Sequence, residues 1–322
     1  MKYLEAGAVM KECYNGKKVL DFIPRTYSDG CAHDFIKIPC GKCIGCRMDY
    51  SRSWADRMTY HVIGKEDNSW FLTLTYDDLH LDDLEYSPNY DLYAINYDHL
   101  AEFIKRLRNK FRDSEIDFYA SGEYGDSNFR AHFHAIVYNV PLDDLEFWKL
   151  NKNGDPIYTS ETIHSLWQRG ICAVGRYSWL GAAYTASYVE KKRDGRLMCE
   201  YTAVGLTPEK CRMSRRPGIA HDYYMENYMD LWKNNGMSVD RTVNSSAHIG
   251  MPRYFHKLAY KYRKDYPDGY EAFLDFQKRS LERSNVMNPF KIDNSSFDLD
   301  RVNDMLQFEE RELLSTTVNK KL

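Results

Sequence analysis

The stretch His132–Asn139, "HFHAIVYN", places two imidazoles two residues apart at the head of an apolar run. It follows a polar segment, "GEYGDSNFRA" (residues 122–131). In a β-strand alternate side chains share a face, so His132, His134 and Ile136 point one way, and Phe133, Ala135 and Val137 the other. Upstream, "IDFYASGEYG" also reads as a strand, with Asp117, Tyr119, Ser121 and Glu123 on one face. If "DSNFRA" closes an antiparallel pair, Glu123 sits beside His132. Two imidazoles and one carboxylate then make a three-ligand site with open positions, suited to a divalent cation that must also take substrate oxygens. A His-x-His pair alone is equally at home in an ordinary packed strand, so the added glutamate carries the metal reading.

Working outward, "SWFLTLTYDD" is a strand-like run ending in acids. "RMDYSRSWADRMTYHV" has a helical apolar stripe. "DHLAEFIKRLRNKFRDS" is the clearest amphipathic helix, with Leu100, Phe103, Ile104, Leu107 and Phe111 on one side and Asp98 as its expected N-cap. Helices are expected around "TSETIHSLWQRG", capped by Thr159 or Ser160, and over "LGAAYTASYVEKKRDG", ending near Gly195; "ICAVGRYS" reads as a short strand. After about Gly205 the pattern weakens, until "MPRYFHKLAYKYRKDYP" and residues 296–315 read as helical. Strands and helices alternate without βαβ regularity, which favours an α+β fold on a mainly antiparallel sheet flanked by helices, with a helical C-terminal region. The expected organisation is a cysteine-containing segment over 1–46, read as turn-rich, a central domain over 47–240 and an accessory region over 241–322.

The 322 residues carry a formal net charge of −3, which argues against a uniformly basic nucleic-acid binder. The charge is segregated, however. Acids gather in "YDDLHLDDLEY" and toward the C-terminus, bases in "IKRLRNKFR" and between Lys191 and Arg216. That last segment holds eight Lys or Arg against three Asp or Glu, an excess of +5. Such a run is usually a solvated face and gains meaning only beside chemistry. No apolar run approaches the ~18 residues of a membrane span and no secretory h-region is seen at the start, so a cytosolic protein without a membrane partner is expected.

Cys40, Cys43 and Cys46 form C-x2-C-x2-C ahead of a helix, and position 50, where an iron–sulfur run would want a fourth cysteine, is Tyr50. A structural Zn2+ needs four ligands, and Cys13, Cys31 and His33 are available for the fourth place, Cys13 being preferred. Three buried or tolerated thiols at a turn around Gly41 and Gly45 is the alternative.

In "YTASYVEKK", Tyr184 and Tyr188 lie one helical turn apart, with Lys191 and Lys192 three and four residues beyond Tyr188. Among 26 tyrosines most must serve packing. A pair at this spacing, followed by lysines, is harder to assign to packing. A phenol, with a reference pKa of about 10, is a weak nucleophile at neutral pH unless a metal or a lysine steadies the developing charge.

"FLTLTYDD", "GEYG…RAHFHA" and "YTASYVEKK", in that order, resemble the three motifs of rolling-circle replication initiators of the HUH endonuclease superfamily. "PCGKCIGCRMDYSRSWADR" and "MSRRPGI" are similar to segments of the initiators of small single-stranded DNA phages, the microviruses of gokushovirus type. The likeness runs from about Cys13 to Arg253. It implies an HUH-type nuclease fold, His132, His134 and Glu123 as ligands of Mg2+ or Mn2+, and Tyr184 and Tyr188 as nucleophiles. One departure is plain: Tyr188 has a base three residues on, Lys191, whereas Tyr184 has Ser187, so Tyr188 is the better supported of the two.

The activity so implied is nicking of single-stranded or supercoiled origin DNA, giving a 5′-phosphotyrosine link and a free 3′-hydroxyl, followed by rejoining of the displaced strand as a circle. Lys192, Arg193 and Arg196, with Arg215 and Arg216 in "MSRRPG", are then expected to track the DNA backbone. Host DNA polymerase would extend the 3′ end, and a host helicase is implied because no G-x-x-x-x-G-K-[ST] motif is present. The place of action would be the cytoplasm of the bacterial host. Two other readings are a transposase or relaxase of the same superfamily and a zinc-dependent nucleic-acid-binding regulator without enzymatic activity.

Overall fold

The computed structural model describes residues 8–14, 17–22, 37–39, 44–88, 91–125, 129–191, 205–242 and 245–287. The chain divides into two compact units, Ser51–Tyr270 and a second made of Met1–Tyr50 with Glu271–Leu322. In chain order the elements begin with strands β1 (Ala8–Tyr14), β2 (Lys17–Phe22) and β3 (Lys37–Pro39), then helix α1 (Ile44–Val62) and β4 (Trp70–Tyr76). A 3-10 turn (Asp78–Asp83) precedes the short pair β5 (Tyr86–Ser87) and β6 (Leu92–Tyr93), then α2 (Tyr97–Lys110), β7 (Asp117–Tyr124) and β8 (Ala131–Tyr138). There follow β9 (Leu145–Leu150), β10 (Pro156–Ser160), α3 (Glu161–Trp167), β11 (Gly170–Arg176), α4 (Trp179–Lys191) and β12 (Cys211–Met213). Last come α5 (His221–Asn234), β13 (Met237–Thr242), β14 (Ser245–Ile249), α6 (Arg253–Lys261) and α7 (Pro267–Met287).

Seven strands form one sheet in the order β12-β7-β8-β4-β11-β10-β9, and every neighbouring pair is antiparallel. The α+β class read from the sequence is the class observed, helices flanking the sheet and further helices following it. Alternation gives the sheet two different faces. On one, Leu72 and Leu74 of β4, Phe133, Ala135 and Val137 of β8 and Val174 of β11 are fully buried with Leu100, Phe103 and Leu107 of α2 and Ile163 and Trp167 of α3. Each large side chain so buried contributes ~1.5–3 kcal/mol. That face is the structural core.

The opposite face carries the polar alternates, Glu123, Ser121, His132, His134 and Thr73. It lies under α1 and α4. On α4 the inward residues Ala182, Thr185 and Ala186 are small and fully buried, which lets the helix lie close to the sheet. A Cβ on Gly181 would already stand 3.3 Å from the Phe71 ring. The two helices are tied together where Ser51 Oγ donates to the Ala183 carbonyl at 2.6 Å and Trp179 Nε1 to Asp56 Oδ1 at 2.7 Å.

Several local expectations need correction. The α2 N-cap is Asn96, whose side chain accepts the Asp98 N–H at 2.9 Å; Asp98 falls instead in the first turn, where a carboxylate suits the helix dipole. Ser160 caps α3 by accepting the Ile163 N–H. Residues 8–39 are not only turns, since β1, β2 and β3 form a three-stranded antiparallel sheet. After Gly205 the chain is regular, with α5 and the β13–β14 hairpin. The helix expected over 296–315 and the end near Gly195 lie outside the described residues. Among the described residues no helix is long and apolar enough to cross a membrane.

Candidate metal centre

The β7–β8 register sets Glu123 directly opposite His132 and Ser121 opposite His134, and β4 sets Thr73 opposite His134 and Thr75 opposite His132. The site is therefore built by pairing three strands whose polar residues fall on the same alternate. Glu123 Oε1 lies 2.7 Å from His132 Nε2 and 3.6 Å from His134 Nε2. One ligand atom from each of the three residues falls within 4.8 Å of the others. Glu123 and His134 are 4% and 6% exposed, so a carboxylate and an imidazole are held almost out of water.

The outer partners fix the ring orientations. His132 Nδ1 donates to the Arg130 carbonyl at 2.9 Å, which leaves Nε2 turned toward Glu123. His134 Nδ1 is 3.2 Å from the Thr73 hydroxyl, the contact expected to hold a ligating imidazole with Nε2 inward. Phe71 stacks on the His134 ring at 5.3 Å. Arg130 reaches back to the Tyr76 carbonyl and pairs with Asp78, clamping the start of β8 to the turn after β4.

Burial and charge oppose each other here. Burial alone would raise the Glu123 pKa, but the hydrogen bonds and charges of His132 and His134 outweigh it and hold the carboxyl below its ordinary value. Burial would lower the His132 pKa, and the Glu123 carboxylate more than offsets that, raising it. His134 is lowered, by burial first. Glu123 Oε2 is buried and without a hydrogen-bond partner, an oxygen whose lone pairs are unused in a polar pocket. Two inward imidazoles plus that oxygen fit a divalent cation with open positions for substrate oxygens.

The ring of Tyr184, on α4, meets the His134 ring edge-on with centroids 5.1 Å apart, and is 43% exposed. Tyr188 and Lys191 follow on the same helix, and their side chains lie outside the described ones. Lys192, Arg193 and Arg196 lie outside the described residues, as do Cys40 and Cys43; of Cys13 in β1 and Cys46 in α1 only the backbone is described. Arg215 and Arg216 are exposed in the loop after β12. Because β12 pairs Cys211 with Ser121 and Met213 with Tyr119, that loop stands toward the Asp117 end of β7, opposite the Glu123 end. The structure thus brings together Glu123, His132, His134 and Tyr184, and sets Arg215 and Arg216 apart from them.

Sequence reading passed over Thr73, Phe71 and the Arg130 carbonyl. A signal existed for the first two: in "FLTLTYDD" Phe71, Thr73 and Thr75 alternate with Leu72 and Leu74, marking a second polar-facing row.

The class of the protein follows from comparison of these motifs. Residues 69–193, from the residue before β4 to just past α4, match the family model that describes replication-associated proteins of the ORF2 and gene-2-protein type. The chain is 34% identical over 253 residues to replication-associated protein ORF2 of Spiroplasma virus 4, covering 76% of this chain and 73% of that one. It is 30% identical over 250 residues to replication-associated protein VP4 of Bdellovibrio phage phiMH2K, covering 76% and 74%. With replication-associated protein ORF4 of Chlamydia phage 1 it shares 29% over 232 residues, 70% of this chain and 54% of the other. The chain belongs to the replication-associated proteins of microviruses, the initiators of their DNA replication. No solved structure matches it with significance.

Proposed function

We propose that this protein starts rolling-circle replication by nicking single-stranded or extruded origin DNA, in the manner of HUH endonucleases, with a tyrosine as nucleophile. The observation that carries the reading is the contact of the Tyr184 ring with His134, which brings a half-exposed phenol to the rim of a buried His–His–Glu cluster. A divalent cation such as Mg2+ or Mn2+, held by Glu123, His132 and His134, would supply Lewis-acid polarisation of the scissile phosphodiester.

The protein's own contribution is positional. The tyrosine Oη forms a bond to phosphorus, the bond to the 3′ oxygen breaks, and the phenolic proton passes to solvent while the leaving oxygen takes one up. The phosphodiester count is unchanged, so the link can later be attacked by a 3′-hydroxyl and the strand closed without nucleotide hydrolysis. Tyr188, one turn further along α4, is the second nucleophile in this reading, with Lys191 as its counter-charge. Two nucleophiles on one helix suit successive rounds, the host polymerase extending the free 3′ end and a host helicase opening the duplex.

The test is direct. Incubated with Mn2+ and an origin-containing single strand, the protein is expected to yield a covalent protein–DNA adduct and a free 3′ end. The double substitution Tyr184→Phe/Tyr188→Phe is expected to abolish the adduct. An adduct formed undiminished by the double variant would refute the tyrosine mechanism, and shifted but uncut DNA from the wild type would favour a binding regulator.

A further inference from the structure

The basic helix α2 takes no part in the metal centre, yet its charges do not simply face water at random. Arg106 turns to α3, donating to the Leu166 and Trp167 carbonyls. Arg108 turns the other way, donating to the Ile116 carbonyl and to Ser214 Oγ, just past β12. Lys105, three residues before Arg108, shares that side of the helix. On β12, Arg212 pairs with Ala120, a residue of the core face, so its side chain leaves the sheet on the α2 side and not the His132 side. Lys210, two residues earlier, lies on the same side. Both cations stand over the Tyr97 ring of α2, Lys210 Nζ at 4.5 Å and the Arg212 guanidinium at 5.7 Å.

With Arg215 and Arg216 in the loop beyond, Lys105, Arg108, Lys210 and Arg212 make a cationic strip along the sheet edge that β12 forms. All six are exposed, and none is in an ion pair among the described residues. The acids nearby do not neutralise it: Asp98 acts on Lys210 without a salt bridge, and Glu209 is turned to the Tyr124 N–H at 2.9 Å. Burial, and then the neighbouring Arg212 charge, lower the Lys210 pKa, as crowding of like charges should. In a chain of net charge −3, a strip of this kind is a local feature with a specific use.

We propose that this edge binds the phosphate backbone of duplex DNA, at a site distinct from the strand-cutting face. The occupant is a duplex and not a single strand because the strip offers charge without stacking platforms. Tyr97 is buried beneath its cations, and the exposed large apolar side chains among the described residues include none from α2, β12 or the loop after it. Single-strand sites combine charge with exposed aromatics, whereas duplex backbone contacts need only the charge. From Lys210 to Arg216 the strip spans about 20 Å at roughly 3.3 Å per residue, a length along which a duplex presents about a dozen phosphates. The strip and the His132–His134–Glu123 cluster lie on opposite faces of β7 and β12. Origin duplex could therefore stay anchored at the edge while its opened strand passes to the other face. That picture rests on the origin-nicking reading, but the binding does not require it.

The experiment measures binding alone, without divalent metal, so it stands whether or not the tyrosines cut. Affinities for a 25-base-pair duplex of arbitrary sequence and for a 12-nucleotide single strand are compared for the wild type and Lys105→Gln/Arg212→Gln across 50–250 mM salt. The expected result is at least a tenfold loss of duplex affinity, a salt slope shallower by about 2, and a duplex-to-single-strand ratio that falls in step, since each lost phosphate contact removes about 0.9 from the slope. Unchanged duplex affinity and slope, or equal losses for both DNAs, would overturn the proposal. If the double variant loses its circular dichroism signature, Lys105→Gln, an exposed position, reads the same quantities, with a slope change of about 1 expected and no change overturning it.

Discussion

Glu123 and His132 face each other across the β7–β8 ladder, with the carboxylate Oε1 2.7 Å from the imidazole Nε2. The pairing is a consequence of register: a one-residue slip of either strand would send one of the two to the core face, among Phe133 and Ala135. A buried carboxylate facing two imidazoles, with one oxygen unpartnered, is costly for the empty fold and useful to a cation.

Glu123→Gln keeps the shape of the side chain and removes its charge. The variant should bind Mn2+ at least tenfold more weakly by isothermal titration calorimetry, with an unchanged far-UV circular dichroism spectrum, because a neutral amide oxygen is a poor ligand for a hard cation. Wild-type affinity in a folded variant would remove Glu123 from the ligand set.

Much of this centre was legible in the chain. The alternation in "DFYASGEY" and "AHFHAIVY" assigns faces, and a tight connection makes them neighbours, so Glu123 beside His132 follows from local pattern. What stayed hidden arises from longer range. Thr73 meets His134 across 61 residues, and nothing local to either announces which strand will lie beside β8. The β9–β10 hairpin was passed over although "NKNG" (residues 151–154) at its tip is a strong turn signal; its exposed Phe147, Trp148 and Leu150 break the simple polar-out rule. Helix α5 was missed too, although Tyr224, Leu231 and Trp232 fall at helical spacing, because a run of tyrosines blurs the contrast between its faces. The Asn96 cap was misplaced by two residues since Asn96 and Asp98 are both competent caps, and only the path of the entering chain chooses between them.

Gly170 opens β11 at a φ of +136° and pairs with Tyr76, next to the Thr75–Ile171 pair. A Cβ there would collide with the backbone of Asp77 and Thr75, neither of which can yield without breaking the β4–β11 ladder. Gly170→Ala should therefore cost ~3 kcal/mol from disallowed backbone and steric clash together. For a protein of this size that corresponds to a fall in Tm of roughly 6–12 °C. Calorimetry on the wild type and variant decides it, and a shift within 2 °C would show that the ladder end relaxes freely.

At the other end of β7, His61 of α1 is buried and fixed in one tautomer. Its Nδ1 accepts the Ala220 N–H at 3.0 Å, so the proton sits on Nε2, 3.3 Å from Asp117 Oδ2. Burial lowers the His61 pKa, and the Lys65 charge adds to that, against the pull of Asp117 and Asp222. A histidine whose folded pKa lies below its unfolded value of about 6.5 gives its full stabilisation above that value and loses it as pH falls toward the lowered one, because the unfolded chain then binds the extra proton. Asp117 is lowered as well, burial being outweighed by the His61 and Ser214 hydrogen bonds, and its contribution is lost only in the more acidic range below the ordinary carboxylate value. His61→Gln keeps an acceptor and a donor and cannot titrate between pH 5 and 8. The Tm difference between wild type and His61→Gln should therefore be largest near pH 7.5 and shrink steadily toward pH 5. Other histidines with lowered values, His99, His134 and His256, are common to both proteins and cancel in that difference. A difference that stays constant over this range would mean that His61 titrates alike in the folded and unfolded chain.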